Sequence, residues 1–418
     1  MGHGRRSFFQ WLASAAQAAK TQPDPHAHHQ HAPEKKGVNH PVVTPDLPKL
    51  PFKLVDGVKE FHLIAELVKS ELMPGRPIEA WGFNGSVPGP TIEANEGDRL
   101  RVILENRLPE MTAIHWHGFE VPMEQDGSVG LGQDPTPPGG RHVYEFTLNQ
   151  HGTLFYHSHF PMQEMMGMLG FVILHPKEPY TPPVDRDFGL LIQEWMLLPN
   201  NNVPNTLAME FNWLTFNGKS GPACTPMIVK QGERVRIRMV NLGMDHHPIH
   251  LHGVQFYMTG TEGGRIDEDL WYPQNTIIVG VAQARNIEFE AKYVGDWMLH
   301  CHLPHHMMNQ MVAMVGPVTH EGHGGEHAHH GAGADTKSFY PKDDPEKKRV
   351  PGYPQDMWMP MDHVIPVKPE HLGLRKNWTG AMMGMMTLVR VVTPEVYDKI
   401  AALRKDPAAA HQHHEHKK

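Results

Sequence analysis

Histidine and cysteine stand together at His300-Cys301-His302, closing a run, Trp297-Met298-Leu299, that reads as a β-strand. Successive side chains of a strand point to opposite faces, so His300 and His302 face one way and Cys301 the other. His306 and Met311 follow Cys301, and His247 supplies a further imidazole. Two histidines, a cysteine and a weakly held axial methionine are the donor set of a blue-copper electron-transfer centre. Zinc accepts cysteine and histidine too, but a thioether argues for copper. His300 and His302, on the other face, suit a second metal site, and the bonds either side of Cys301 would wire the two centres together.

His-x-His recurs four times, as His115/His117, His157/His159, His250/His252 and His300/His302. On strands, each pair projects both rings to one face, so eight imidazoles can converge. One such pair is commonly just a set of satisfied polar groups; four pairs in register across a repeat are hard to explain by packing.

The elements that must position them are short apolar runs between Gly, Pro and Asn turns, such as Leu100–Leu104, Val143–Leu148 and Phe171–Leu174. That spacing predicts β-sandwiches rather than helices. An internal repeat pairs Phe83-Asn84-Gly85 with Phe216-Asn217-Gly218, and Gly97-Asp98-Arg99 with Gly232-Glu233-Arg234. It also pairs His115-Trp116-His117-Gly118 with His250-Leu251-His252-Gly253, and His157-Ser158-His159 with His300-Cys301-His302. In the first copy Thr112, Ser158, Gln163 and Met168 stand where the second has His247, Cys301, His306 and Met311, so only the second copy is expected to be blue.

The rest of the chain divides by composition. Gly4-Arg5-Arg6-Ser7-Phe8-Phe9 resembles a twin-arginine export signal, assigned to residues 1–21, and predicts a periplasmic or otherwise exported protein. Residues 22–50, rich in proline and histidine, read as a linker. Domain 1 is expected over 51–180, domain 2 over 181–319, a Gly/His-rich linker over 320–345, an extension over 346–405 and a histidine-rich tail over 406–418. Within the extension, Thr387–Val392 reads as a strand, and Thr393-Pro394-Glu395 as the capped start of a helix to about Arg404. A net charge of −8 argues against a nucleic-acid partner, and no run is long and apolar enough to span a membrane. If Cys301 is a ligand, Cys224 is a lone packed thiol and no disulfide forms.

The ordered copper motifs over residues 80–316 resemble those of the multicopper oxidases. The resemblance implies an all-β chain of two cupredoxin-like Greek-key β-sandwich domains plus a C-terminal extension. It implies four coppers per functional unit: a type 1 copper on His247, Cys301, His306 and Met311, a type 2 copper on His115 and His250, and a type 3 pair on His117, His157, His159, His252, His300 and His302. It further implies one-electron oxidation of a small-molecule or metal-ion donor, with four-electron reduction of dioxygen to water. Asp126 matches the family's acidic residue beside the cluster; a turn aspartate before Gly127 is the plainer alternative. Many members carry glutamate directly after the type 1 histidine that follows the cysteine, where this chain has Met307, leaving the second proton route to His305 or another group. The short spacing from His159 to His247 leaves no room for a middle domain, so the chain looks like a two-domain laccase-type oxidase, for which a homotrimer is implied. The resemblance implies a phenol or aromatic amine as donor, with cuprous ion presented to Met162, Met165, Met166 and Met382–Met386 as the alternative; those methionines equally suit gap-filling in a core. The alternatives are a copper-binding or copper-resistance protein without turnover, and a copper nitrite reductase, against which Ser158 and the four complete pairs speak.

Overall fold

The computed structural model describes residues 39–198, 201–309 and 360–405. The export signal, the 320–345 linker, the 406–418 tail and Met311 lie outside the described residues.

Strict alternation of buried and accessible residues along Arg99–Asn106 makes that strand one-sided, its inward face carrying Leu100, Val102 and Leu104. It sits in a five-stranded sheet with Phe52–Val55, Val58–Met73, Arg76–Phe83 and Arg141–Thr147. The sheet facing it runs in the order Ile92–Asn95, Leu169–His175, Gly152–Ser158, Ile114–His117. Its two central strands are apolar on both faces because both are covered. One face fills the domain 1 core; on the other, Phe155, Leu169, Phe171 and Ile173 pack on Leu191, Val240, Leu242 and Ala284 of domain 2.

Domain 2 repeats the plan. Its larger sheet is built on Arg186–Trp195, Arg234–Asn241, Ala284–Glu290 and Phe256–Thr261; the smaller runs Met227–Lys230, Met386–Val392, Gly295–Cys301, His247–Leu251, Thr276–Val279. The expected all-β pair of sandwiches is what forms, and Pro394–Lys405 is the expected helix.

Two boundaries need correction. The extension is not an appendage: Met386–Val392, buried at every position, lies between Met227–Lys230 and the strand that carries Cys301. It does for domain 2 what Leu169–His175 does for domain 1, so domain 2 comprises 360–405 as well as its share of 181–309. Nor is all of 22–50 a tether. Val42 is buried among residues of both domains, its N–H donates to Glu93 Oε1 at 2.9 Å, and Val43 exchanges backbone hydrogen bonds of 2.9 Å with Asp187 and Gly189. A few well-spaced apolar residues, Val42, Leu47 and Leu50, outweigh the proline-rich average.

Behind the domain interface lies a buried ionic network. Glu288 accepts from Arg234, Arg236 and Arg265, Asp187 from Arg236 and Arg238, and Arg238 donates across to Thr153 of domain 1 at 2.9 Å. Burial alone would raise the Glu288 pKa, but the surrounding guanidinium groups hold it down at about 2. A carboxyl depressed in this way contributes stability that is present above its unfolded value and lost as pH falls from about 4.5 towards 2. Glu288→Gln should therefore destabilise the protein by about 3–5 kcal/mol at pH 7 by leaving buried cations unmatched. The deficit should shrink below pH 4. Urea midpoints at pH 7 and pH 3 check this; equal deficits at both would contradict it.

Candidate metal centres

Antiparallel pairing brings the histidine strands together in the same register in both domains. His115 lies opposite His157 and Ile114 opposite Ser158; His250 lies opposite His300 and Ile249 opposite Cys301. In domain 1 the His115 ring is 5.5, 5.3 and 5.3 Å from those of His117, His157 and His159. In domain 2 the His250 ring is 4.8, 5.6 and 5.6 Å from those of His252, His300 and His302. His117 Nδ1 lies 3.4 Å from His157 Nε2, and His252 Nε2 lies 3.1 Å from His300 Nε2.

Backbone carbonyls fix which nitrogen each ring offers. A carbonyl can only accept, so Nδ1–H donates from His115 to Asp126 at 2.8 Å, from His250 to Asn275 at 2.6 Å, from His157 to Ser158 at 2.9 Å and from His300 to Cys301 at 2.8 Å. Each ring then presents Nε2 as a lone-pair donor, the usual orienting device around a metal. Burial first, then neighbouring imidazoles, lowers the pKa of His117 to about 4 and also lowers those of His159, His252 and His300. Neutral imidazole is the ligating form. His157 differs. Burial lowers it, but Glu164, 3.2 Å from Nδ1, outweighs that and raises it.

Asp126 lies 3.5 Å from His115 Nδ1 through Oδ1, with its other oxygen accepting the Ser128 hydroxyl. Gly127 explains the approach. Its φ is +89°, and a Cβ there would meet the Ile114 carbonyl at 1.9 Å, so only glycine lets this turn lie on the histidine strand.

On the opposite, inward face of the domain 2 sheet, His247, Cys301 and His306 converge without solvent exposure. Cys301 Sγ is 3.6 Å from His247 Nδ1 and 3.4 Å from His306 Nδ1, and the two nitrogens are 3.0 Å apart. Three donors this close, sealed from water, fit a metal about 2 Å from each, and a thiolate with two imidazoles is a copper set. Burial pushes the thiol up to about 12 and, with the neighbouring His247, takes His306 down to about 4. A bound cation is what would make the thiol ionise here. The same place in domain 1 is closed by mutual hydrogen bonds: Gln163 Oε1 accepts from Thr112 and Ser158, both at 2.8 Å.

Two carboxylates at these sites escaped the sequence reading. Glu194, fully buried, lies 2.6 Å from His247 Nε2, while its Oε2 accepts the Met244 N–H at 2.8 Å. The other is Glu164. A carboxylate inside the apolar strand Arg186–Trp195 was the available signal for Glu194; nothing local marks Glu164.

Comparison with known proteins identifies the family. Multicopper oxidase family profiles match residues 67–179 and 197–319, together more than half of the chain. A copper resistance protein A homolog of Pseudomonas syringae pv. tomato is 40% identical over 121 residues, 29% of this chain and 20% of that protein. Laccase-2 of Botryotinia fuckeliana is 30% identical over 265 residues, 57% of this chain and 44% of that protein. The chain thus spans less than half the length of these curated relatives. Among solved structures, a blue copper oxidase from Nitrosomonas europaea superposes with a TM-score of 0.55 at 30% identity, over 59% of this chain and 80% of that one.

Proposed function

The chain belongs to the multicopper oxidases, and from that premise we propose that it takes electrons singly from a reducing donor and passes four, with four protons, to dioxygen, giving two waters. The observation that carries this reading is one strand, Gly295–Cys301, that presents Cys301 to a buried two-histidine pocket on one face and His300 to a histidine quartet on the other. His247, Cys301 and His306 would hold the type 1 copper, His115 and His250 the type 2, and His117, His157, His159, His252, His300 and His302 the type 3 pair. Bound copper supplies one-electron storage at the first site and dioxygen reduction at the others.

The chain's own residues do the rest. The Cys301 carbonyl holds the His300 ring by its Nδ1–H, giving a short covalent and hydrogen-bonded route between the two faces. Asp126 and Glu164, each within 3.5 Å of a cluster histidine, are placed to hold protons that oxygen reduction consumes.

Among the described residues the ring contacts of each quartet stay within its own domain, which supports completing the cluster between subunits, as in a homotrimer. Solution mass would test that. No helix of the described residues is long and apolar enough to cross a membrane, and export on a twin-arginine route remains part of this proposal.

The copper resistance relatives favour a second reading, copper retention without turnover. Oxygen uptake by copper-loaded protein, with a phenol and with Cu(I) in parallel, separates the two. Uptake with either donor supports the oxidase, and silence with both supports retention.

A further inference from the structure

The internal repeat places Met311 opposite Met168, but the fold matches Met168 with a different methionine. In domain 1 the Ser158 N–H donates to the Met168 carbonyl at 2.9 Å, and the Met168 N–H donates to the Gln163 carbonyl at 3.1 Å. In domain 2 the Cys301 N–H donates to the Met385 carbonyl at 3.1 Å, and the Met385 N–H donates to the His306 carbonyl at 3.0 Å. Ser158 corresponds to Cys301 and Gln163 to His306, so Met385 is the counterpart of Met168.

Three further observations agree. The strand registers match, with His157 opposite Leu169 and His300 opposite Met386. Both methionines are fully buried, Met385 in the same apolar cluster as Cys301. The local sequences match as well: Met165-Met166-Gly167-Met168 and Met382-Met383-Gly384-Met385. The glycine has a physical role in each. Gly167 and Gly384 have φ of +110° and +64°, and a Cβ on Gly384 would meet the His306 carbonyl at 2.0 Å. Any other residue would push this segment off the His306 loop.

We propose that Met385, immediately before the strand Met386–Val392, and not Met311, supplies the axial thioether of the blue copper site. This rests on the blue-copper reading of Cys301. The stretch from Met307 to Gly384 is then an insertion between the third and fourth ligands, where domain 1 has only Glu164 to Gly167. The centre is assembled from three separate parts of the chain, and it is complete only when Met386–Val392 has paired with the cysteine strand.

The test compares copper-loaded wild-type full-length protein with Met385→Leu and Met311→Leu by visible absorption, electron paramagnetic resonance and type 1 reduction potential. An axial thioether tunes the potential of such a site without being required for its colour. Met385→Leu should remain blue, with a raised potential and an altered copper signal, and Met311→Leu should match wild type. Met385→Gln, with a side chain of similar length and a harder oxygen donor, should move the potential the other way, and it serves if the leucine variant fails to fold. A blue wild type whose potential moves with Met311→Leu, or stays unmoved by both Met385 variants, overturns this inference alone. A copper-loaded wild type with no blue band overturns it together with the reading it rests on.

Discussion

Replacing Cys301 with serine should abolish the blue absorption and bring oxygen uptake down to the level of the copper-free protein, while copper stays bound at the histidine cluster. The physical basis is that the two faces of Gly295–Cys301 are chemically independent. Cys301 points inward to His247 and His306, and the imidazoles of the cluster point outward. Serine is too hard and too weakly acidic to replace a thiolate ligand, but it fits. Domain 1 carries Ser158 at the equivalent position, with its hydroxyl donating to Gln163 at 2.8 Å. The fold should therefore survive, and loss of turnover can be read as loss of electron entry. Copper content and electron paramagnetic resonance report the result. A variant that loses all its copper would show that the centres are not separable.

Ending the chain after residue 359 should unfold domain 2. The lost strand contributes Met386, Leu388, Val389, Val391 and Val392, and the segment before it Met385, all buried. At about 1.5–3 kcal/mol for each buried apolar side chain, the loss is on the order of 10 kcal/mol. That rivals the whole stability of a typical domain, about 5–15 kcal/mol. The deletion also leaves Met227–Lys230 without its partner strand and Gly295–Cys301 with a bare edge. Val389→Asp in the full-length chain should reproduce part of the effect, at about 3 kcal/mol or more, because Val389 faces the core cluster around Cys301. Limited proteolysis and thermal melting check both. A truncated chain that melts like the full-length protein would show the strand to be accessory.

How much of this was legible beforehand depends on whether the signal was local. His-x-His and His-Cys-His announce themselves because strand alternation turns a two-residue spacing directly into a shared face. The eight imidazoles, Cys301, His247 and His306 could be named from spacing and from the repeat, and Asp126 from the family resemblance. That the first copy lacks the buried cysteine-and-histidine cluster of the second was also legible from Ser158 and Gln163. Composition was a poorer guide. It read 22–50 as a tether, although Val42 and Leu50 are packed, because an average over many residues hides a few well-placed apolar ones.

What the sequence determined by itself was therefore the chemistry: which side chains could bind copper, on which faces, and in which of two repeated sandwiches. Tertiary structure alone decided how distant segments close on that chemistry. Strand order in a sheet is set by which apolar faces and backbone edges find each other, and nothing in the spacing of residues records it. Hence the pairing of Met386–Val392 beside the cysteine strand, the arrival of Met385 against His306, and the buried Glu194 carboxylate behind His247 emerged only with the fold.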